Sequence, residues 1–356
     1  FIAGLLLLVI GAEALVRGAS RLAGALGISP LVVGLTVVAF GTGAPELAVC
    51  VKSVLSDQAG IALGNVVGSN IFNVLFILGL SAVITPLAVS QQLVKLEVPL
   101  LITLSALLLV FTYDGALDRL EGFVLFFGLI AYVWFSVHQS RKASARVEAE
   151  YEREFGVAET IQQRWVLNVS LVGGGLGLLV LGSRWLVDSA VSFAHYIGVS
   201  ELVVGLTIVA VGTSLPEVVT SVIAALRGER DIAVGNVVGS NLFNIMGVMG
   251  FASLVAPQGI AVSDALIGFD LPVMAAVVLA CLPIFFTGGV ISRTEGALLL
   301  SYYVAYTSYL FMATSHHDAL PQFNTIMLFF VIPITAVALL GTALRELRGT
   351  WQQKPE

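Results

Sequence analysis

Charged side chains are scarce in this chain of 356 residues: only 11% are Asp, Glu, Lys or Arg, against about 25% in an average soluble domain. Hydrophobic residues make up 58%, and the mean hydropathy is +0.98. So few charges could not cover the surface of a 37.4 kDa globule. The composition therefore excludes a soluble enzyme, a nucleic-acid-binding protein and a disordered chain, and it indicates a protein of the lipid bilayer.

Cysteine is also scarce, and the two residues of this type, Cys50 and Cys281, lie inside apolar runs. Two such residues build neither a disulfide framework nor a Cys/His zinc site, so we interpret them as small packing residues. Alternating polar and apolar strands, the pattern of outer-membrane barrels, are missing as well. Long apolar runs fill the sequence instead, each sufficient for a helix that crosses a hydrocarbon core about 30 Å thick.

Eleven such runs predict an all-α polytopic membrane protein. They lie near residues 1–24, 31–55, 60–83, 93–112, 119–138, 165–193, 202–226, 231–254, 266–286, 292–313 and 325–344. Of the 17 Lys and Arg residues, 14 lie on one side of the predicted topology, and Lys52, Arg119 and Arg184 lie on the other. Because basic loops stay in the cytoplasm, we expect a cell (inner) membrane protein with its N-terminus outside and its C-terminus in the cytoplasm.

An internal repeat organises the chain. Residues 31–80 match residues 202–251 at 26 of 50 positions without a gap, and the segment GNVVGSN at 64–70 recurs whole at 235–241. Each copy holds five spans, and an odd number inserts the second copy in the opposite orientation. Two inverted five-helix repeats with a site near the membrane midplane are the architecture of secondary transporters.

This repeat sets the predicted domain boundaries. The four segments are a first repeat at 1–138, a charged cytoplasmic linker at 139–164, the second inverted repeat at 165–313, and an accessory transmembrane helix with its tail at 314–356.

A Gly-Thr-x-x-Pro-Glu motif interrupts one apolar span in each half, at residues 41–46 and 212–217. Proline lacks a backbone N–H and breaks the helical hydrogen-bond ladder. Freed carbonyls in hydrocarbon must find partners, and a bound cation is one such partner. We expect the free carbonyls just before each kink, at Ala39, Thr42, Ala210 and Thr213.

Each motif ends in a glutamate, Glu46 or Glu217, that falls about halfway along its span. A carboxylate at that depth with no Lys or Arg nearby is a candidate functional site. The second motif, GNVVGSN followed by Ile/Leu-Phe-Asn, adds neutral oxygens on one helical face: Ser69 with Asn73, and Ser240 with Asn244. Helix packing through Ser and Asn is the alternative for any one of these residues.

Two carboxylates with hydroxyl, amide and carbonyl oxygens form an all-oxygen site. Ca²⁺ accepts about six to eight oxygens in irregular geometry, whereas Mg²⁺ requires a stricter octahedron and soft metals prefer Cys or His. Two ionised glutamates also neutralise one divalent ion. We therefore expect Ca²⁺ as the transported ion and the lipid bilayer as the surroundings of the protein. We expect no cofactor, no nucleic-acid partner and no obligate protein partner.

The paired motifs resemble the α-repeats of the sodium/calcium exchanger family of cation/calcium antiporters, over roughly residues 1–313. The resemblance implies ten core helices and four central cation positions that hold either Ca²⁺ or about three Na⁺. It also implies that the first and sixth spans slide across the core during transport; the alternative is that their charged ends simply project past the bilayer.

The resemblance further implies a role for each motif residue. Glu46 and Glu217 are shared carboxylate ligands, and Thr42 and Thr213 offer carbonyls to Ca²⁺. One outer Na⁺ position is lined by Ala39, Ser240 and Glu217, the other by Ala210, Ser214, Ser69 and Glu46, and Asn73 and Asn244 flank the centre. Gly43 stands where the family commonly has Ser, which weakens one Na⁺ position, and Asn244 stands where potassium-dependent relatives have Asp, which argues against K⁺ co-transport.

The prediction is a secondary active antiporter that exchanges Ca²⁺ for Na⁺, electrogenically and without K⁺. A Ca²⁺/H⁺ antiporter on the same fold is the alternative, and Gly43 gives it some weight. An intramembrane enzyme is not expected, because neither HExxH nor GxSxG occurs. A channel is a third reading, which the inverted repeat with paired acids disfavours.

Overall fold

A computed structural model describes residues 1–56, 58–155, 165–196, 212–286, 288–315, 317–339 and 341. Within these ranges the chain is almost entirely helical. The helices are α1 (Ile2–Leu26), α2 (Pro30–Thr42), α3 (Ala44–Leu55), α4 (Gly60–Ile84), α5 (Leu93–Phe111), α6 (Arg119–Phe155), α7 (Trp165–Tyr196), α8 (Leu215–Leu226), α9 (Arg230–Val255), α10 (Leu266–Phe286), α11 (Arg293–Thr314) and α12 (Leu320–Leu339).

The predicted all-α polytopic fold is confirmed. Nine of the described helices are long and apolar enough to cross a membrane, and α2 and α3 together form one further span with a bend. The remaining predicted span, near 202–226, is represented by α8, since its first part lies outside the described residues. The charged segment after residue 138 begins as a continuation of α6, which stays helical to Phe155.

Two short antiparallel ribbons tie the halves together. β1 (Leu87–Ala88) pairs with β4 (Val290–Ile291), and β2 (Ala116–Leu117) pairs with β3 (Ile260–Ala261). Each ribbon joins a connection of the first half to a connection of the second half.

Helices α1 and α7 cross the core as a close antiparallel pair. A methyl group on Gly11 would lie 2.8 Å from the Gly175 carbonyl oxygen, and one on Gly4 would lie 2.9 Å from the Gly182 carbonyl oxygen. Glycine at these positions permits backbone contact that any larger residue would prevent.

The centre of the molecule lies where α2, α3 and α4 meet α8 and α9. Helix α9 is the most buried span, and a methyl group on its Gly239 would lie only 2.6 Å from the Leu35 Cα atom of α2. The outer helices instead present large exposed apolar side chains, such as Phe127 on α6 and Phe329 on α12, which suit contact with lipid. The polar motifs therefore fall at the buried centre.

Candidate cation-binding site

The break between α2 and α3 places the first motif at this centre. The two helices meet at Gly43, whose backbone (φ −80°, ψ 2°) turns the chain by 46°. Pro45 lies in the first turn of α3 and has no N–H. The carbonyl that loses its helical donor is therefore that of Gly41, four residues before the proline.

The Ala39 carbonyl is not free, so this expectation from the kink is wrong. Its oxygen accepts the Gly43 N–H at 3.0 Å and lies 3.4 Å from the Thr42 hydroxyl. The helical ladder persists this far because the helix continues through Thr42, and the missing donor belongs to Pro45 instead.

The second half shows how such a carbonyl is satisfied. Gly212, four residues before Pro216, accepts a hydrogen bond from the Ser183 hydroxyl of α7 at 2.6 Å. A serine from a neighbouring helix thus replaces the missing backbone donor, as buried carbonyls in a membrane require. Ala210, the predicted counterpart of Ala39, lies outside the described residues.

Glu46 and Glu217 lie in the first turns of α3 and α8 and are 1% and 2% exposed. The positive end of a helix dipole favours a carboxylate at such a position. Ser214, three residues before Glu217, lies 3.0 Å from Glu46 Oε1, so the two motifs meet at one place. Neither glutamate forms an ion pair within the described chain, where both salt bridges involve Glu13 instead.

Serine residues of both halves meet at Glu46. The Ser214 hydroxyl lies 3.0 Å from Glu46 Oε1 and 3.4 Å from Ser69 Oγ. Ser240, the counterpart of Ser69 in the repeat, is fully buried, and its hydroxyl has no partner among the residues the structure describes. The structure thus brings two of the predicted serines, Ser69 and Ser214, together at Glu46.

Thr42 links the two kinked spans through an asparagine of α9. The Thr42 hydroxyl donates to Asn236 Oδ1 at 3.2 Å, and Asn236 Nδ2 in turn donates to Ser221 Oγ at 2.9 Å and to the Glu217 carbonyl at 3.4 Å. This chain of contacts runs from α2 in the first half to α8 in the second.

A second asparagine network crosses between α4 and α9. Asn73 Nδ2 donates to Asn241 Oδ1 at 2.9 Å, Asn241 Nδ2 donates to the Asn70 carbonyl at 3.3 Å, and Asn244 Nδ2 donates to Asn70 Oδ1 at 3.1 Å. Both predicted ligands, Asn73 and Asn244, therefore have their donor groups engaged. Their side-chain oxygens remain available, since neither Oδ1 has a partner in the described ranges.

Six oxygens of the motifs share this property: each is buried and without a hydrogen-bond partner among described residues. They are Glu46 Oε2, Glu217 Oε2, Thr213 Oγ1, Ser240 Oγ, Asn73 Oδ1 and Asn244 Oδ1. Buried polar atoms are almost always satisfied, because burial without a partner costs a few kcal/mol each, about 1–3 by mutational estimates. Such a set of oxygens is suited to a hard cation.

The donor set also limits which cation fits. Within the described ranges no group of three or more His, Cys, Asp or Glu side chains is placed to hold a metal ion. A bound ion would meet two carboxylates and neutral oxygens, which suits Ca²⁺ or Na⁺ better than a soft metal.

The two halves differ at Gly43, the counterpart of Ser214. A β-carbon at Gly43 would lie 2.9 Å from Cδ1 of Phe243, and this ring stacks on Phe40 with centroids 4.7 Å apart. An aromatic edge thus occupies the space in which the other half carries a hydroxyl. The region around Ser240 therefore offers fewer oxygens than the region around Ser69.

Three asparagines that orient the site were not among the predicted ligands: Asn70, Asn236 and Asn241. Each is fully buried, and each accepts a hydrogen bond from the side chain of a predicted ligand residue. Their recurrence in both copies of GNVVGSN was the available signal. Spacing on one helix does not reveal it, because their partners lie on the other half of the molecule.

Comparison with known proteins places this geometry in a family. The family described as "Sodium/calcium exchanger protein" matches residues 1–138 and 167–312. The "Sodium/calcium exchanger MaX1" of Methanosarcina acetivorans is 34% identical over 340 residues, covering 86% of this chain and 96% of that protein. The "Inner membrane protein YrbG" of Escherichia coli is 40% identical over 258 residues, covering 72% and 79% respectively.

A solved structure agrees in fold. The sodium-calcium exchanger NCX_Mj, soaked with zero Na⁺ and Ca²⁺, superposes with a TM-score of 0.75 at 30% sequence identity, covering 87% of this chain and 97% of that one. The repeat, the buried acids and these matches lead to one conclusion: the chain belongs to the sodium/calcium exchanger family.

Proposed function

We propose that this protein is a secondary active antiporter that moves Ca²⁺ across the membrane in exchange for Na⁺. The observation that carries the proposal is the set of six unpartnered buried oxygens in the repeated motifs, contributed by both inverted halves and including Glu46 and Glu217. Inverted repeats with a site at their interface support alternating access, in which the site opens to one side of the membrane at a time. The name of the relative MaX1, a sodium/calcium exchanger, supports the same ions.

Charge balance supports the coupling. Two ionised carboxylates neutralise one Ca²⁺, so the loaded site crosses the low-dielectric interior without net charge. If about three Na⁺ return per Ca²⁺, each cycle moves one net positive charge and responds to the membrane potential. The exchange is then electrogenic.

The proposed ligands follow the two halves. Glu46 and Glu217 serve both ions, and the carbonyls of Thr42 and Thr213 bind Ca²⁺. One outer Na⁺ position uses Ser214, Ser69 and Ala210 beside Glu46, and the other uses Ser240 beside Glu217, while Asn73 and Asn244 flank the centre. The Ala39 carbonyl accepts the Gly43 N–H with one lone pair and would bind Na⁺ with the other.

A Ca²⁺/H⁺ antiporter is the second candidate. The observation that favours it is the Gly43 position, where the Phe243 ring stands in place of a hydroxyl and leaves one Na⁺ position short of oxygens. Protons need only the two carboxylates, so a deficient Na⁺ position would not prevent this exchange.

Counter-ion dependence distinguishes the two candidates. Protein in liposomes loaded with Na⁺ at equal pH on both sides should take up Ca²⁺ from a Na⁺-free medium, and K⁺ in place of Na⁺ should not support uptake. An inside-negative potential should slow this Na⁺-driven uptake, because net positive charge leaves the vesicle. Uptake that follows an imposed pH gradient and ignores Na⁺ would instead establish the proton-coupled reaction.

Orientation has its own test. With the N-terminus outside in the cell (inner) membrane, a reporter fused after residue 356 should be active only in the cytoplasm. Activity only outside the cell contradicts the proposed topology.

A further inference from the structure

A third buried carboxylate lies outside the cation cluster, near the start of α5. Glu97 ends the π-helical segment Leu93–Glu97 and is 0% exposed. Its Oε1 accepts a hydrogen bond from Gln92 Nε2 at 2.8 Å, whereas its Oε2 has no partner in the part of the chain that the structure describes. Burying a carboxylate oxygen without a partner in a membrane interior costs free energy, so a bound ligand or proton is expected there.

One buried hydroxyl of α6 adjoins this carboxylate, and a second lies next to the first. The Tyr132 hydroxyl is a neighbour of Glu97, and Ser136 is a neighbour of Tyr132. Neither hydroxyl forms a hydrogen bond of good geometry with any described residue. Tyr132 is 7% exposed and Ser136 is 0% exposed, so water does not satisfy them from the surface.

The hydroxyls continue as a row toward the end of the span. Tyr132, Ser136 and Ser140 are four residues apart and therefore share one face of α6. Ser140 Oγ accepts the Ser29 N–H at 2.8 Å, just before α2 begins. The exposed Arg141 follows at once, so the row leads from the buried acid to the polar end of the helix.

The elements packed against Glu97 bring no described base to it. Over Leu271–Phe286 of α10, which contacts this part of α5, the one titratable side chain is that of Cys281. On α6, His138 and Lys142 are exposed rather than on the buried hydroxyl face, and the exposed Lys95 of α5 donates to Gln91 instead. A metal cation is also unsupported, because Glu97 belongs to no described group of three metal-binding side chains.

We propose that Glu97 is a proton-binding site, distinct from the cation cluster, at the place where α5 meets Tyr132 of α6. The proton neutralises the carboxylate and makes Oε2 a donor, which the Tyr132 hydroxyl accepts. The protonated acid thereby ties α5 to α6, whichever counter-ion the cation cluster uses.

The second half of the chain provides a matched control. Asp270 ends the π-helical segment Leu266–Asp270 as Glu97 ends its own, and Tyr306 of α11 donates to Asp270 Oδ1 at 2.8 Å. Asp270 is half-buried, and unlike Glu97 it has no fully buried oxygen without a partner in the described chain. We therefore use this acid–tyrosine pair as the control for the site at Glu97.

Infrared difference spectroscopy of the protein in lipid tests the site. Spectra at acidic and alkaline pH are compared in saturating Na⁺, which keeps Glu46 and Glu217 occupied by cations. We expect a carboxylic-acid C=O band that shifts in D₂O, present in the wild type and in Asp270→Asn but lost in Glu97→Gln. A Glu97→Gln spectrum identical to that of the wild type overturns the site.

Thermal unfolding gives a second readout with the same isosteric variant. A proton bound only in the folded state stabilises it less as the pH rises, so the Tm of the wild type should fall with pH more steeply than that of Glu97→Gln. Equal pH dependence of the two Tm values overturns the site.

Discussion

The charge of Glu46 decides whether this protein can hold a divalent ion. Glu46→Gln keeps the Oε1 acceptor that lies 3.0 Å from the Ser214 hydroxyl, and it keeps the side-chain volume. It removes one of two carboxylates, so a bound Ca²⁺ retains one uncompensated charge at a site that is 1% exposed. Breaking a buried charge pair in this way costs about 3–5 kcal/mol. At 1.4 kcal/mol per tenfold, the Ca²⁺ affinity should fall by about two to three and a half powers of ten.

The assay is ⁴⁵Ca²⁺ uptake into Na⁺-loaded proteoliposomes over a wide range of Ca²⁺ concentrations. Asp264→Asn is the matched control, because it removes one carboxylate from an exposed position before α10. It should leave the concentration for half-maximal uptake unchanged, whereas Glu46→Gln should raise it by the factor above or abolish uptake. A Glu46→Gln protein with the Ca²⁺ affinity of the wild type would refute the role of Glu46 as a ligand.

Three further predictions concern single contacts. Ser214→Ala removes the hydroxyl donor beside Glu46, a contact worth about 1.5–3 kcal/mol. The Na⁺ concentration that gives half-maximal Ca²⁺ uptake should therefore rise roughly 10–100-fold. An unchanged Na⁺ concentration for half-maximal uptake contradicts this prediction. Gly175→Ala places a methyl group 2.7 Å from the Gly11 carbonyl oxygen, so transport should slow while equilibrium Ca²⁺ binding persists; a wild-type rate argues against movement at the α1–α7 contact. Ser183→Ala leaves the Gly212 carbonyl without its hydroxyl donor and should destabilise the fold by about 1–3 kcal/mol in thermal unfolding, and an unchanged Tm would show that another donor replaces it.

Much of the fold follows from local properties of the chain. Apolar runs long enough to cross a bilayer predicted the spans because the hydrocarbon core requires a helix of that length whatever its neighbours are. The repeat between residues 31–80 and 202–251 predicted two equivalent halves, since five spans per copy leave only the inverted arrangement. Both properties are independent of tertiary contacts.

The centre of the site was also readable from the sequence. A glutamate in an apolar run with a preceding proline is costly wherever the helix packs, so Glu46 and Glu217 stood out without any knowledge of their partners. The structure buries both, at 1% and 2% exposure, and groups Ser69 and Ser214 beside Glu46. Their roles as ion ligands remain predictions until the transport assays above are done.

Hydrogen-bond partners between the halves could not be read in this way. The kink rule predicted a free carbonyl at Ala39, but the observed backbone keeps that carbonyl bonded to Gly43. The Ser183 hydroxyl of α7 donates to the Gly212 carbonyl only because of how two helices cross. No residue spacing along the sequence predicts that crossing.

Composition indicated that this chain belongs in a membrane, the internal repeat indicated two inverted sets of helices, and the motifs indicated two deep acids. Tertiary structure alone decided that Phe243 covers Gly43, that Asn70 orients Asn244, and that Glu97 is buried beside Tyr132. The reason is physical: hydropathy and helix breaking act over a few residues of one helix. The partner of a buried polar atom, by contrast, is chosen by packing between segments far apart in the chain.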